Sequence, residues 1–148
     1  MADAHICGSV PLQSSDEVFL SVMKYLKNQI RRLPDGETGE RGSWIRFQFE
    51  RMAEQDGMEL YEGSLPSTNP TYHNYHRFRF TKPFAEIEMP PLGYAGPNLA
   101  SYDVFAGLKQ EGVIPESVRF QVSLPTPYGL TASACLPEDQ LGFEQVYK

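Results

Sequence analysis

The chain predicts an α/β fold, in which short buried strands alternate with helices. Three observations predict it. Short apolar runs that stop at proline alternate with stretches of helical period. One late segment, Val118 to Leu124, alternates apolar and polar side chains as a strand does. Between the first helix and the second, glycines crowd around acidic residues where a strand should end.

His5 to Val10 is a short apolar run stopped at Pro11, as a buried strand is when it meets a loop. A helix follows. Ser14 and Glu17 form a capping box, and Val18, Phe19, Val22, Met23, Leu26 and Ile30 make one apolar face, which predicts a helix ending near Arg32. Pro34 forces an extended backbone on Leu33, and Asp35-Gly36-Glu37-Thr38-Gly39 then sets two carboxylates among glycines. A second helix opens at Ser43, with Trp44, Ile45, Phe49 and Met52 on one side and Gly57 at its end. From Gly63 to Pro97 the rhythm breaks in a long irregular insertion rich in proline, glycine and aromatics. Within it, His76-Arg77-Phe78-Arg79-Phe80 alternates as one edge of a hairpin. Leu99, Tyr102, Phe105, Ala106 and Lys109 trace a helix that closes at Gly112, with Pro115 just beyond. In the clearest strand, Val118, Phe120, Val122 and Leu124 alternate with Arg119, Gln121 and Ser123 until Pro125 and Pro127. Pro137, Glu138 and Asp139 start a last helix, since proline suits the first helical position and acids suit the positive end of the dipole.

Composition bounds the function. With 148 residues, 41% of them hydrophobic, the chain can bury one core of ordinary size. Its formal charge of -6 repels phosphate backbones, which argues against nucleic acid or an anionic membrane as a general partner. No apolar run is long enough to cross a bilayer, and Met1 to Ile6 lacks a basic segment followed by an apolar one, so a cytoplasmic location is expected. Cys7 and Cys135 are far apart in sequence and fit reduced thiols. His5 and Cys7 would share a face of a strand, but two ligands are too few for a zinc site, and neither metal nor cofactor is expected. Tyr72, His73, Tyr75, His76, Arg77, Phe78, Arg79 and Phe80 faintly suggest a stacking surface for single-stranded nucleic acid; a hairpin with a packed phenylalanine face suits an acidic chain better. Neither a glycine-rich phosphate loop nor a nucleophile elbow is present.

Three stretches, His5 to Leu12, Leu33 to Ile45 and Val118 to Pro127, together resemble the cobalamin-independent methionine synthase and uroporphyrinogen decarboxylase-like superfamily, specifically its methionine-synthase-like barrels. The resemblance implies a partial (β/α)8 TIM-barrel-like fold, the first three or so βα units. The sequence shows about three strands and four helices, whereas a closed barrel takes about 250 residues. It therefore implies either a missing barrel half or a homo-oligomer in which copies cover each other's open strands. The Gly8-Ser9 turn resembles the one that holds the carboxylate end of an amino-acid substrate. Gly36-Glu37 followed by Glu40-Arg41 resembles the Gly-Glu and Glu-Arg signature, whose first glutamate meets the substrate ammonium. Asp35 stands where the synthases have histidine, and an extra residue lies within Thr38-Gly39, so a different small polar substrate is implied. The family's zinc ligands come from later strands and have no counterpart here.

Glu37 and Asp35 are accordingly the expected catalytic residues, and Ser9, Glu37, Glu40, Arg41, Gln121 and Ser123 the expected substrate-binding ones. An acidic turn can equally cap the helix after it. Density of glycine around charge at a strand end favours a site, because loops at strand C-termini are where barrels keep their chemistry. Gln121 and Ser123 share a strand face, either an interior that binds substrate or a solvated one. A transferase- or lyase-like barrel enzyme and a non-catalytic small-molecule binder with a site between subunits both remain open.

Overall fold

The structure, a computed structural model, describes residues 3–43, 47–61, 77–89 and 91–147. The chain divides into two compact units: Met1–Trp44 with Gly93–Leu124, and Ile45–Leu92 with Pro125–Lys148.

The first unit is built on parallel pairing. Helix α1 (Ser15–Leu26) starts where the capping box predicts. The Ser14 hydroxyl accepts from the Glu17 N–H at 3.2 Å, and the Glu17 carboxylate accepts from the Gln13 N–H at 2.9 Å, so two orphan donors are satisfied. The helix ends at Leu26, earlier than its apolar spacing suggests. Gln29 and Ile30 both donate to the Leu26 carbonyl, and Ile30 then leaves the helical path to pair in parallel with Ala4. Strand β1 (Arg32–Pro34) follows. Helix α3 (Ala95–Gln110) is closed by Gly112 at φ 75°, as glycine allows. It leads into β4 (Arg119–Gln121), which pairs in parallel with β1, with Leu33 beside Phe120. Val18 and Phe19 of α1, Leu33 of β1, Phe105 of α3, and Ile114 and Val118 before β4 form the core. Phe19 and Phe105 meet edge to face at 5.8 Å between centroids. Each such fully buried side chain stabilises by about 2–3 kcal/mol.

In the second unit the pairing is antiparallel. Helix α2 (Phe47–Ala53) is followed by a turn with Gly57 at φ 88° and then β2 (Met58–Tyr61). Strand β3 (Arg77–Phe80) runs back along it, with Leu60 beside Phe78. Helices α4 (Pro127–Ala134) and α5 (Gln140–Val146) pack with this pair around Phe49, Met52, Met58, Phe78, Leu130 and Phe143. Arg77 donates to the carbonyls of Ala132 and Cys135 at 3.3 and 2.8 Å, which satisfies acceptors left open at the end of α4.

These observations overturn the barrel expectation. The described strands form two separate two-stranded sheets, one parallel and one antiparallel, and not a (β/α)8 arrangement. The alternation that suggested successive barrel units holds only from Ala4 to β1 and from α3 to β4. The segments Ile45–Leu92 and Pro125–Lys148 build a second core around their own hairpin. Further corrections are local. His5 to Val10 forms no strand; Ala4 alone makes a bridge, and the Gln121 side chain takes the Ile6 and Cys7 carbonyls that a ladder would have used. The last strand stops at Gln121, leaving Val122 and Leu124 exposed. Pro127 opens α4 behind a Thr126 cap, and Pro137 to Asp139 precede α5 as a turn held by the Asp139 N–H on the Leu136 carbonyl. Trp44, Ile45, and the aromatic and basic residues from Tyr72 to His76 lie outside the described residues. Among the described residues, no helix is long and apolar enough to cross a membrane.

Candidate functional site

Ala4 pairs in parallel with Ile30, and β1 pairs in parallel with β4, so three chain segments run the same way and their following loops emerge at one end. In open α/β sheets that end is where ligands bind. Here it gathers Gly8 and Ser9, the turn from Asp35 to Arg41, and the residues from Gln121 to Ser123.

The acidic turn is tightly determined. The Val10 N–H donates to the Gly36 carbonyl at 2.9 Å and ties the first loop to it. Gly36 lies at φ 81°, and a Cβ there would fall 2.6 Å from a Val18 methyl, so glycine is required on both counts. Glu37 takes the left-handed backbone as well, at φ 49°, where a side chain costs roughly 1–2 kcal/mol. Such strain persists when its surroundings enforce it, and it clusters at functional places. Asp35 does the enforcing. One of its carboxylate oxygens accepts from the Glu37 N–H at 3.0 Å, and the other accepts from Arg41 at 2.5 Å. Asp35 and Arg41 are 2% and 7% exposed, so this is a buried ion pair with both carboxylate oxygens engaged. Asp35 is therefore a positioning group that fixes Glu37.

Glu37 is differently placed. Its Oε2 accepts a hydrogen bond from the Ser9 hydroxyl. Its Oε1 lies over Gly8, 3.3 Å from where a Cβ would stand. Ser123 Cβ lies at the same distance from that point, so Glu37 and Ser123 close on Gly8 together. A side chain at position 8 would force them apart.

Gln121 and Ser123 sit beside this pair. The Gln121 amide nitrogen donates to the Ile6 carbonyl at 2.9 Å and to the Cys7 carbonyl at 3.1 Å, while Ser123 donates to the same Cys7 carbonyl at 3.0 Å. Because the nitrogen is surrounded by acceptors, the orientation of the amide is settled by its partners. Its oxygen is buried and has no donor among the described residues. A buried amide oxygen without a donor is costly, which makes it notable at the end of parallel strands.

Of the residues singled out from sequence, Ser9, Asp35, Glu37, Arg41, Gln121 and Ser123 thus come together in one unit. The Glu40 side chain lies outside the described residues. Sequence reasoning placed Gly8 in a turn but missed its role as the floor beneath Glu37; glycine inside an apolar run is the signal for such close approach. His5 and Cys7 are exposed, and among the described residues no three His, Cys, Asp or Glu side chains gather as metal ligands do. No family model, no curated protein and no solved structure matches the chain.

Proposed function

We propose that this strand-end site binds a small, donor-rich polar molecule of the amino-acid class, with its ammonium group on Glu37. One observation carries the reading: the buried Gln121 Oε1 has no donor among the described residues, and Ser123, which the Gln121 amide reaches, closes with the Glu37 carboxylate on Gly8. The charges support it. Asp35 and Arg41 neutralise each other, so this pair does not offset the Glu37 carboxylate. A cation that also donates hydrogen bonds answers both needs, because charge-assisted bonds are the stronger kind. Ser9 holds the far oxygen of Glu37, and the strained backbone at Glu37 fixes its direction.

The test is calorimetric titration of the chain with free amino acids, their N-acetylated forms and simple carboxylic acids. Binding is expected for compounds with a free ammonium. It should fall at least about tenfold on N-acetylation or in Glu37→Gln, the cost of losing one charge-assisted bond. Equal affinity for acetylated and free forms, or no heat from any amino acid, would sink the reading.

A further inference from the structure

A second feature of the same unit is the free edge of β4. Among the described residues β4 pairs with β1 alone. The Arg119 N–H donates across to the Arg31 carbonyl, so the alternation of a parallel ladder turns the N–H and C=O of Phe120 toward the opposite edge. Such an edge is a template for another strand. At its lower end the template is already closed: the Val118 N–H donates to the Pro115 carbonyl, and Lys109 Nζ donates to the Val118 carbonyl at 3.1 Å. Beside the edge runs helix α3, and between the two is a pocket of about 260 Å³ lined by Tyr102, Phe105, Ala106, Lys109, Arg119 and Phe120, among others. Drug-sized ligands occupy pockets of roughly 300–1,000 Å³, so this one has room for about a single large side chain. Tyr102 of this lining is about half exposed, and Leu99 of α3 and Val122 and Leu124 after β4 are half exposed or more.

Charge decides the occupant. In a chain of net charge -6, the mouth of this pocket carries Arg119, whose β1 neighbour in register is Arg32, together with Lys109. Glu116 balances Lys109 at 3.5 Å, while no carboxylate among the described residues pairs with Arg119 or Arg32. A second copy pairing its own β4 here would bring Val118 to Leu124, a stretch with no acid and with another arginine. It would leave the guanidinium groups uncompensated. We propose that this groove takes an extended acidic-apolar peptide segment of a partner protein by strand addition to β4, with one large apolar side chain in the pocket and a carboxylate on Arg119. Strand addition of this kind draws affinity from main-chain bonds and specificity from side-chain pockets.

The experiment is selection of a displayed library of random linear nonapeptides against the intact chain. Enriched peptides are then measured by fluorescence polarisation, and circular dichroism confirms that each variant is folded. The expected consensus has a large apolar residue and an acid within two positions. Binding should fall by up to about fivefold in Arg119→Glu, the size of one exposed charge pair, and disappear in Ala106→Trp, which fills the pocket. Val122→Pro, which removes an edge N–H at an exposed position, should weaken it too. Glu37→Gln should bind the same peptides unchanged, which separates this groove from the strand-end site. Three outcomes overturn the proposal: no enrichment, peptides that bind Arg119→Glu and Ala106→Trp as well as wild type, or a wild-type dimer in light scattering that Ala106→Trp dissociates. The last would give the groove to a second copy.

Discussion

The two units of the chain treat polarity in opposite ways. The unit of parallel strands buries Asp35, Glu37 and Arg41 within one turn. The unit around the hairpin buries no charged side chain among its described residues, and its interior is aromatic, with Phe49 against Phe78 at 5.8 Å and Phe80 against Phe143 at 5.0 Å. Packing alone explains the second interior. It does not explain the first, because a buried ion pair is often no better than apolar residues of the same shape, and a left-handed glutamate is worse. What the first interior gains is direction: Asp35 and Arg41 hold Glu37 where its carboxylate oxygen lies over Gly8.

The largest effect should come from breaking the pair. Arg41→Met leaves Asp35 buried without its cation and is expected to cost about 3–5 kcal/mol in urea unfolding. Asp35→Asn combined with Arg41→Met should cost clearly less than the two single changes added together, since the double variant has no stranded charge. Strict additivity would mean that the pair is not coupled. On the other side of the comparison the sensitive point is steric. A Cβ at Gly142 of α5 would lie 2.1 Å from the Phe84 ring, which itself packs on Phe80 at 4.9 Å between centroids. Gly142→Ala should therefore destabilise by about 1–3 kcal/mol. Helix propensity alone predicts a gain of about 1 kcal/mol, so the sign of the change separates the two effects.

A third change tests whether the strain in the polar turn serves function. Glu37→Gly removes the left-handed penalty and is expected to leave stability unchanged or raise it by up to about 1 kcal/mol, while amino-acid binding is lost. A protein that is more stable without its binding group shows the usual opposition between site and scaffold. A loss of several kcal/mol would instead make Glu37 a structural residue.

Much of the site was legible because its signals are local. Pro34 sets the strand end, Gly36 and Gly39 mark backbone that side chains resist, and both lie at positive φ. Strand alternation put Gln121 and Ser123 on one side, and both reach the Cys7 carbonyl. The architecture was not legible in the same way. Strands and helices in alternation do not state how many will share a sheet, and the pairing of β2 with β3 depends on contacts between distant residues such as Leu60 and Phe78. Helix α4 is masked in the sequence because Pro125 and Pro127 also suit the end of a strand, although Thr126 before Pro127 is a cap followed by a proline at the start of a helix. The first strand was overestimated for a physical reason: a glutamine side chain from β4 replaced its backbone partners.

The smallest effect sharpens the comparison at its weakest point, the half-buried Asp139 before α5. Burial raises its carboxyl above the usual range; the neighbouring Glu138 adds to this, and a Phe80 N–H and Arg79 oppose it. A carboxyl raised in the folded state carries no penalty at a pH below its unfolded value of about 3.9, where it is protonated in both states. The penalty grows as pH rises through that value toward the folded one and is constant above it. Asp139→Asn keeps an acceptor for the Phe80 N–H and removes the charge. Its stability relative to wild type should therefore improve between pH 3 and pH 6, by less than about 1 kcal/mol because solvent screens a partly exposed group. An improvement that is instead constant across the series would place the effect in packing, and this unit would then tolerate a charge at its margin as easily as the other holds one inside.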